Sequence, residues 1–184
     1  MSGASRHLAV CGLLAAAGCS VYDSRYVFDP RPVDVAASKP GAEGSAPLRA
    51  LVTVLGVRRA DEHAKMPACI DVRLRIDNTS PFPATFDPKG LCLFSAGLDR
   101  FPEPVLSTQQ HLELAPGTFA FVDACFAFPQ GSRPAELDLS GLDVRWTVAI
   151  DGQPVTSSAS FMRRPGGYYD RYYYRIGVGY QGYP

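Results

Sequence analysis

Across residues 69–78 apolar and charged residues alternate without a break, with Ile70, Val72, Leu74 and Ile76 on one parity and Asp71, Arg73, Arg75 and Asp77 on the other. Successive strand side chains point to opposite faces, whereas a helix would mix the two sets, so the stretch predicts a strand with one buried and one wet side. Such a strand is the unit of an antiparallel sheet and requires a second sheet over its apolar face. The β-branched run 48–58 predicts a strand before it, ending at the charged loop 59–65. After Asn78, Pro81 and Pro83 force a turn, and short edge strands are expected over 84–86 and 91–95, around Asp87-Pro88-Lys89-Gly90. The run 111–114 then meets 118–128 across Ala115-Pro116-Gly117. In that second run the apolar set switches from Phe119 and Phe121 to Val122, Ala124, Phe126 and Phe128, which predicts a bulge near 121–123. Val144, Trp146, Val148 and Ile150 alternate with Asp143, Arg145, Thr147 and Ala149, and Asp151-Gly152 predicts a hairpin whose return strand carries Val155, Ala159 and Phe161.

Seven to eight short strands separated by turn chemistry predict an all-β chain, a two-sheet antiparallel β-sandwich over 48–163 with Leu74 and Trp146 buried from opposite sheets. The abundance of Gly (17) and Pro (16) agrees with many turns and little helix. Lys+Arg and Asp+Glu stand at 18 each, so the chain lacks the basic footprint of a nucleic-acid binder, and no nucleic acid is expected as a partner.

The first residues carry Arg6 and His7, then the apolar run 8–17, then small residues before Cys19. This is the pattern of a secretory signal over 1–18, and its apolar run of about ten residues is too short to span a bilayer. Ala16-Ala17-Gly18-Cys19 resembles the lipobox of bacterial lipoproteins, with Leu14 two residues before the place where that family carries leucine. The resemblance implies that Cys19 is lipidated and becomes the first residue of the mature chain. Ser20 in the next position implies the outer membrane, facing the periplasm, as destination. Residues 19–47 are expected to be a lipid-anchored flexible linker, because the Ala/Gly/Ser/Pro-rich stretch 33–47 holds no lasting period of 2 or 3.6. Tyr22, Tyr26, Val27 and Phe28 within it are apolar enough to dock.

The order of signals in the body, Asp77-Asn78-Thr79-Ser80, Phe86-Asp87-Pro88, Leu112-Glu113-Leu114-Ala115-Pro116-Gly117 and Phe126-Ala127-Phe128-Pro129, resembles the telokin-like, immunoglobulin-fold domains of exported bacterial lipoproteins of unknown function. It covers about residues 50–150, consists of turns rather than catalytic residues, and implies an immunoglobulin-like arrangement of the sandwich.

Candidate chemistry is sparse. The chain holds no His-Glu-x-x-His, Gly-x-Ser-x-Gly or Walker loop, and Gly177-Val178-Gly179-Tyr180-Gln181-Gly182 matches the dinucleotide fingerprint without the helix that the fingerprint must open. His63, Met66 and Cys69 make a soft donor set suited to copper(I), and Cys125, His111 and Asp123 are conceivable catalytic partners without a local signature. Outside Cys11 and Cys19, three cysteines remain, so in an oxidising compartment either one pair bridges or all three are buried thiols. Immunoglobulin-type pairing would put the strands of Cys92 and Cys125 in one sheet and so points to that bridge. The tail 164–184 holds seven of the nine tyrosines, among them Tyr168, Tyr169, Tyr172, Tyr173 and Tyr174, spaced with glycine and with Arg171 and Arg175. Such a segment suits adhesion to an envelope protein or glycan, or a last strand closing the sandwich. The expected function is therefore a membrane-tethered, non-enzymatic binding or scaffold module needing no cofactor. The competing class is an exported copper carrier or enzyme using His63, Met66 or a cysteine.

Overall fold

The computed structural model describes residues 21–39, 41, 47–61, 67–107, 111–129 and 132–164. Over these the chain is all-β, two antiparallel sheets packed as a sandwich. One sheet runs β2 (Val33–Ala37), β3 (Leu48–Arg58), β4 (Cys69–Asn78), β9 (Phe119–Ala127), β7 (Val105–Leu106). The other runs β1 (Val27–Asp29), β11 (Gln153–Arg164), β10 (Gly141–Ile150), β5 (Ala84–Phe86), β8 (Leu112–Leu114), with β6 (Cys92–Ser95) also paired to β10. Strands β3 to β11 cover the region where seven to eight were expected, and the extra one is the two-residue β7.

The alternation read from β4 is the alternation of the fold. Ile70, Val72, Leu74 and Ile76 are buried while Arg73 is exposed, and across the core Val144, Trp146, Val148 and Ile150 of β10 are buried in turn. Leu74 and Trp146 thus enter one core from opposite sheets, each worth about 1.5–3 kcal/mol or more of transfer free energy. Asp151 and Gly152, with φ of 51° and 75°, turn β10 into β11 with every residue from Ile150↔Gln153 to Gly141↔Met162 in register. Positive φ at both positions gives the strands their right-handed twist.

Four expectations are corrected. The segment 19–47 is not a flexible linker over the part described: β1 pairs β11, β2 pairs β3, and Tyr26 and Phe28 belong to the core at 6% and 0% exposure. A β-branched parity (Val33, Val35) and two open sheet edges outweigh the surrounding Ala/Ser/Pro composition. The bulge lies in β3, between Val54 and Gly56, whereas β9 pairs β4 without interruption from Asp77↔Phe119 to Cys69↔Ala127. Strands β8 and β9 do not pair with each other. Residues 115–117 carry the chain from one sheet to the other, held by the fully buried Asn78, whose Nδ2 donates to Leu114 O (2.8 Å) and Phe82 O (2.9 Å), and whose O accepts from Gly117 N (2.7 Å). A buried amide requires such partners, and here it finds them in the turn. Finally β5 is interior, between β10 and β8, while β6 lies beyond β10 as an edge.

Candidate functional site

Because β9 keeps its register, Val122, Ala124 and Phe126 face the core and Phe119 and Phe121 face outward, 56% and 51% exposed. Their rings meet edge to face, centroids 5.6 Å apart and planes at 82°. On β4, Arg75 lies opposite Phe121 and Asp77 opposite Phe119. The Arg75 guanidinium sits 4.6 Å from the Phe119 centroid and 5.5 Å from that of Phe121, while Asp77 Oδ1 accepts from Arg75 Nε at 2.8 Å. The negative faces of the rings attract the cation, and the carboxylate holds its planar fork in place. One strand step along, Arg73 donates to both oxygens of Asp123 at 2.7 and 2.9 Å, and Arg49 pairs with Asp34 towards the β2 edge. A cleft of about 480 Å³ opens beside the rings, between Arg49, Leu51, Arg75, Thr118 and Phe119. The arrangement offers stacking area, oriented donors and satisfied charges, which suits contact with a planar or ring-bearing surface.

A second cluster occupies the other end of the same face. Cys69 and Cys125 are joined in a disulfide with Cα atoms 5.7 Å apart, so the bridge expected between Cys92 and Cys125 is corrected. Cys92 lies on β6 in the opposite sheet and is a free, half-buried cysteine, whereas Cys69 lies two residues along β4, on the same face, from Asp71, the residue opposite Cys125. Arg58 covers the bridge, its Nη2 3.1 Å from Cys69 Sγ and 3.2 Å from Asp71 Oδ1, with Nε 3.1 Å from Asp71 Oδ2. Tyr22 shares this carboxylate through a side-chain hydrogen bond. Burial holds the Asp71 carboxyl above its ordinary value against the pull of Arg58, and burial, then Asp71, pushes the Tyr22 hydroxyl up. Cys69, Asp71 and Cys125 place potential metal donors together, but the two sulfurs are bonded to each other and a guanidinium already occupies the space beside them. A cation would have to displace that charge and find thiolates released from the bridge.

Among the described residues, the set Cys125, His111 and Asp123 is not gathered. Cys125 is consumed by the bridge, Asp123 by Arg73, and His111 precedes β8 in the other sheet. His63, Met66, Cys19 and Tyr168, Tyr169, Tyr172, Tyr173 and Tyr174 lie outside the described residues. The parity change at Phe119 and Phe121, expected to mark a bulge, is instead the outward side of an unbroken strand. The signal that finds the rings is the regular parity of 122, 124 and 126 carried back through 120. Among the described residues no helix is long and apolar enough to cross a membrane. No family model matches this chain, and no curated protein matches it.

Proposed function

We propose that this chain is an exported lipoprotein, anchored through an acylated Cys19 to the cell envelope at the periplasmic side of the outer membrane, and acting as a non-enzymatic binding or scaffold module related to the telokin-like, immunoglobulin-fold lipoprotein domains. The observation that carries the binding role is the pair Phe119 and Phe121, more than half exposed on a sheet face whose fold does not need them there. Rings that give up burial while holding an arginine against both of them provide a stacking surface for an envelope protein or a glycan. The tyrosines 168–174 extend the same chemistry and make the tail a second element of the module.

The test is cosedimentation with purified peptidoglycan and, separately, crosslinking in intact envelope, comparing the wild type with Phe119→Ser/Phe121→Ser and with a chain ending at Arg164. Retention should drop about tenfold or more in the ring variant, the loss expected for removing interface anchors, while its melting temperature stays near the parent's. Full retention in both variants would sink the proposal. Intact mass of membrane-extracted protein checks the anchor, and a Cys19→Ala variant that still partitions with detergent would remove it.

A further inference from the structure

The chain is docked almost from the anchor onward. Val21 O accepts from Arg59 N at 3.2 Å, Asp23 N donates to Val57 O at 2.8 Å, and Tyr22 bridges to Arg58. Gly56 makes room for this: its φ is 142°, and a Cβ there would lie 3.3 Å from the Tyr22 ring. From Tyr22 the chain turns back into β1, where Val27 pairs with Arg164, the last residue of β11, and Arg163 Nε donates to Arg25 O at 3.0 Å with its guanidinium 4.5 Å from the Tyr26 ring centroid. Both ends of the described chain therefore leave from one end of the sandwich, the end that also holds Arg58 and the disulfide. The turns at Pro116-Gly117 and Asp151-Gly152 mark the opposite end. Strand β11 runs from one end to the other, about 33 Å from Gln153 to Arg163 at the rise of a strand.

We infer that the sandwich stands on the bilayer by its Tyr22–Arg58–Arg163 end, with lipid headgroups as the partner of that end. The inference rests on the proposed acylation of Cys19. Three residue steps separate Cys19 from Tyr22, which spans about 10 Å even when fully extended, so the docked end cannot rise farther than that from the acylated residue. Chain length sets this contact, and three of the acids nearest the docked segment carry arginine partners: Asp23 with Arg25, Asp29 with Arg164, Asp71 with Arg58. The ring-bearing stretch of β9 is carried towards the far end of the sheet, where Phe119 lies opposite Asp77, clear of the membrane. The chain that continues past Arg164 starts from the membrane side, so the tyrosine-rich tail begins at the headgroups and the Phe119–Phe121 face does not.

The experiment uses full-length lipidated protein in vesicles of phosphatidylethanolamine and phosphatidylglycerol that contain a headgroup spin-labelled lipid. In a Cys92→Ser background, a fluorophore is attached to Arg59→Cys at the docked end or to Gln153→Cys at the far end, both exposed positions. Quenching should be at least about fivefold greater at 59 than at 153, since short-range quenching falls away over a separation of some 30 Å. Vesicles of neutral phosphatidylcholine should give the same ratio. Equal quenching at the two positions, with intact mass showing acylated Cys19, overturns the orientation and leaves the anchor standing. A Cys19 without acyl chains overturns both. Inserting a flexible Gly-Ser spacer of about 20 residues between Ser20 and Val21 should bring the ratio close to one. An unchanged ratio with the spacer would show that tether length does not hold the end down, and would likewise overturn the inference.

Discussion

On the outer side of the five-stranded sheet, arginines and aspartates interlock in bidentate pairs around two exposed phenyl rings. On the outer side of the six-stranded sheet, Thr147 faces Thr156 with hydroxyls 2.9 Å apart, Arg145 faces Ser158, and Ser160 donates to Asp143 at 3.1 Å. Both faces hold an arginine over an aromatic ring, Arg145 over Phe94 at 4.5 Å and Arg75 over Phe119 at 4.6 Å. The difference is that Phe94 is half-buried while Phe119 and Phe121 stay mostly in solvent. A sheet face that only has to be wet is served by small hydroxyl residues that pair across strands. A face that keeps large rings half in water gains less for folding from them than burial would give, and so the ring-bearing side is the one read as an interface.

That comparison concerns the outsides alone, and its sharpest test is whether the insides are equivalent. Leu74→Ala should cost about 2–5 kcal/mol and Trp146→Ala about 3–5, because each empties a packed site in the shared core. Arg73→Ala, the neighbour of Leu74 on the outer side, should cost under about 1 kcal/mol, as exposed ion pairs do. Urea unfolding measures all three, and equal costs for Leu74 and Arg73 would mean that the two sides of β4 have been assigned in reverse.

The next effect distinguishes the faces covalently. Removing the Cys69–Cys125 bridge by Cys69→Ser/Cys125→Ser should lower stability by about 2–4 kcal/mol, since a cross-link over 56 residues restricts the unfolded chain. Cys92→Ser, on the other face, should change it by less than about 0.5 kcal/mol. Peptide mapping of the non-reduced protein checks the pairing directly, and a fragment joining Cys92 to Cys125 would refute it.

The smallest effect is electrostatic and has opposite signs at two acids. Asp23 is nearly buried and its carboxyl is held below the ordinary value chiefly by hydrogen bonding from Arg25, so its stabilisation is present above about pH 3.8 and is lost as the pH falls through the lowered value. Asp71 is raised by burial, so its contribution is full at low pH, where the carboxyl is protonated in both states, and is lost as the pH rises from 3.8 through the raised value. Relative to the wild type, Asp23→Asn should therefore become less costly on acidification, and Asp71→Asn more costly. Thermal melts across the acid range that moved both variants in the same direction would break the assignment of the two environments.

The local alternation of the sequence determined the parts of this protein that depend on neighbours along the chain. Leu48–Arg58, Cys69–Asn78 and the Asp151-Gly152 hairpin are legible because a period of two states which side is buried wherever one side must be, and because Asp-Gly accepts positive φ. What depends on neighbours in space was settled by the tertiary structure. Val27–Asp29 and Val33–Ala37 are too short and too weakly patterned to read as strands alone, and they became strands because β11 and β3 offered open edges. Phe119 and Phe121 look as apolar as Val122 and Phe126, and which pair is buried follows from the register of β9 against β4, with Arg75 and Asp77 beneath the exposed rings. The cysteines are three equivalent letters until the sheets are laid out. Cys69 and Cys125 then stand on adjoining strands while Cys92 sits across the core, and a bond whose reach is a few ångströms joins the pair that the fold brought together.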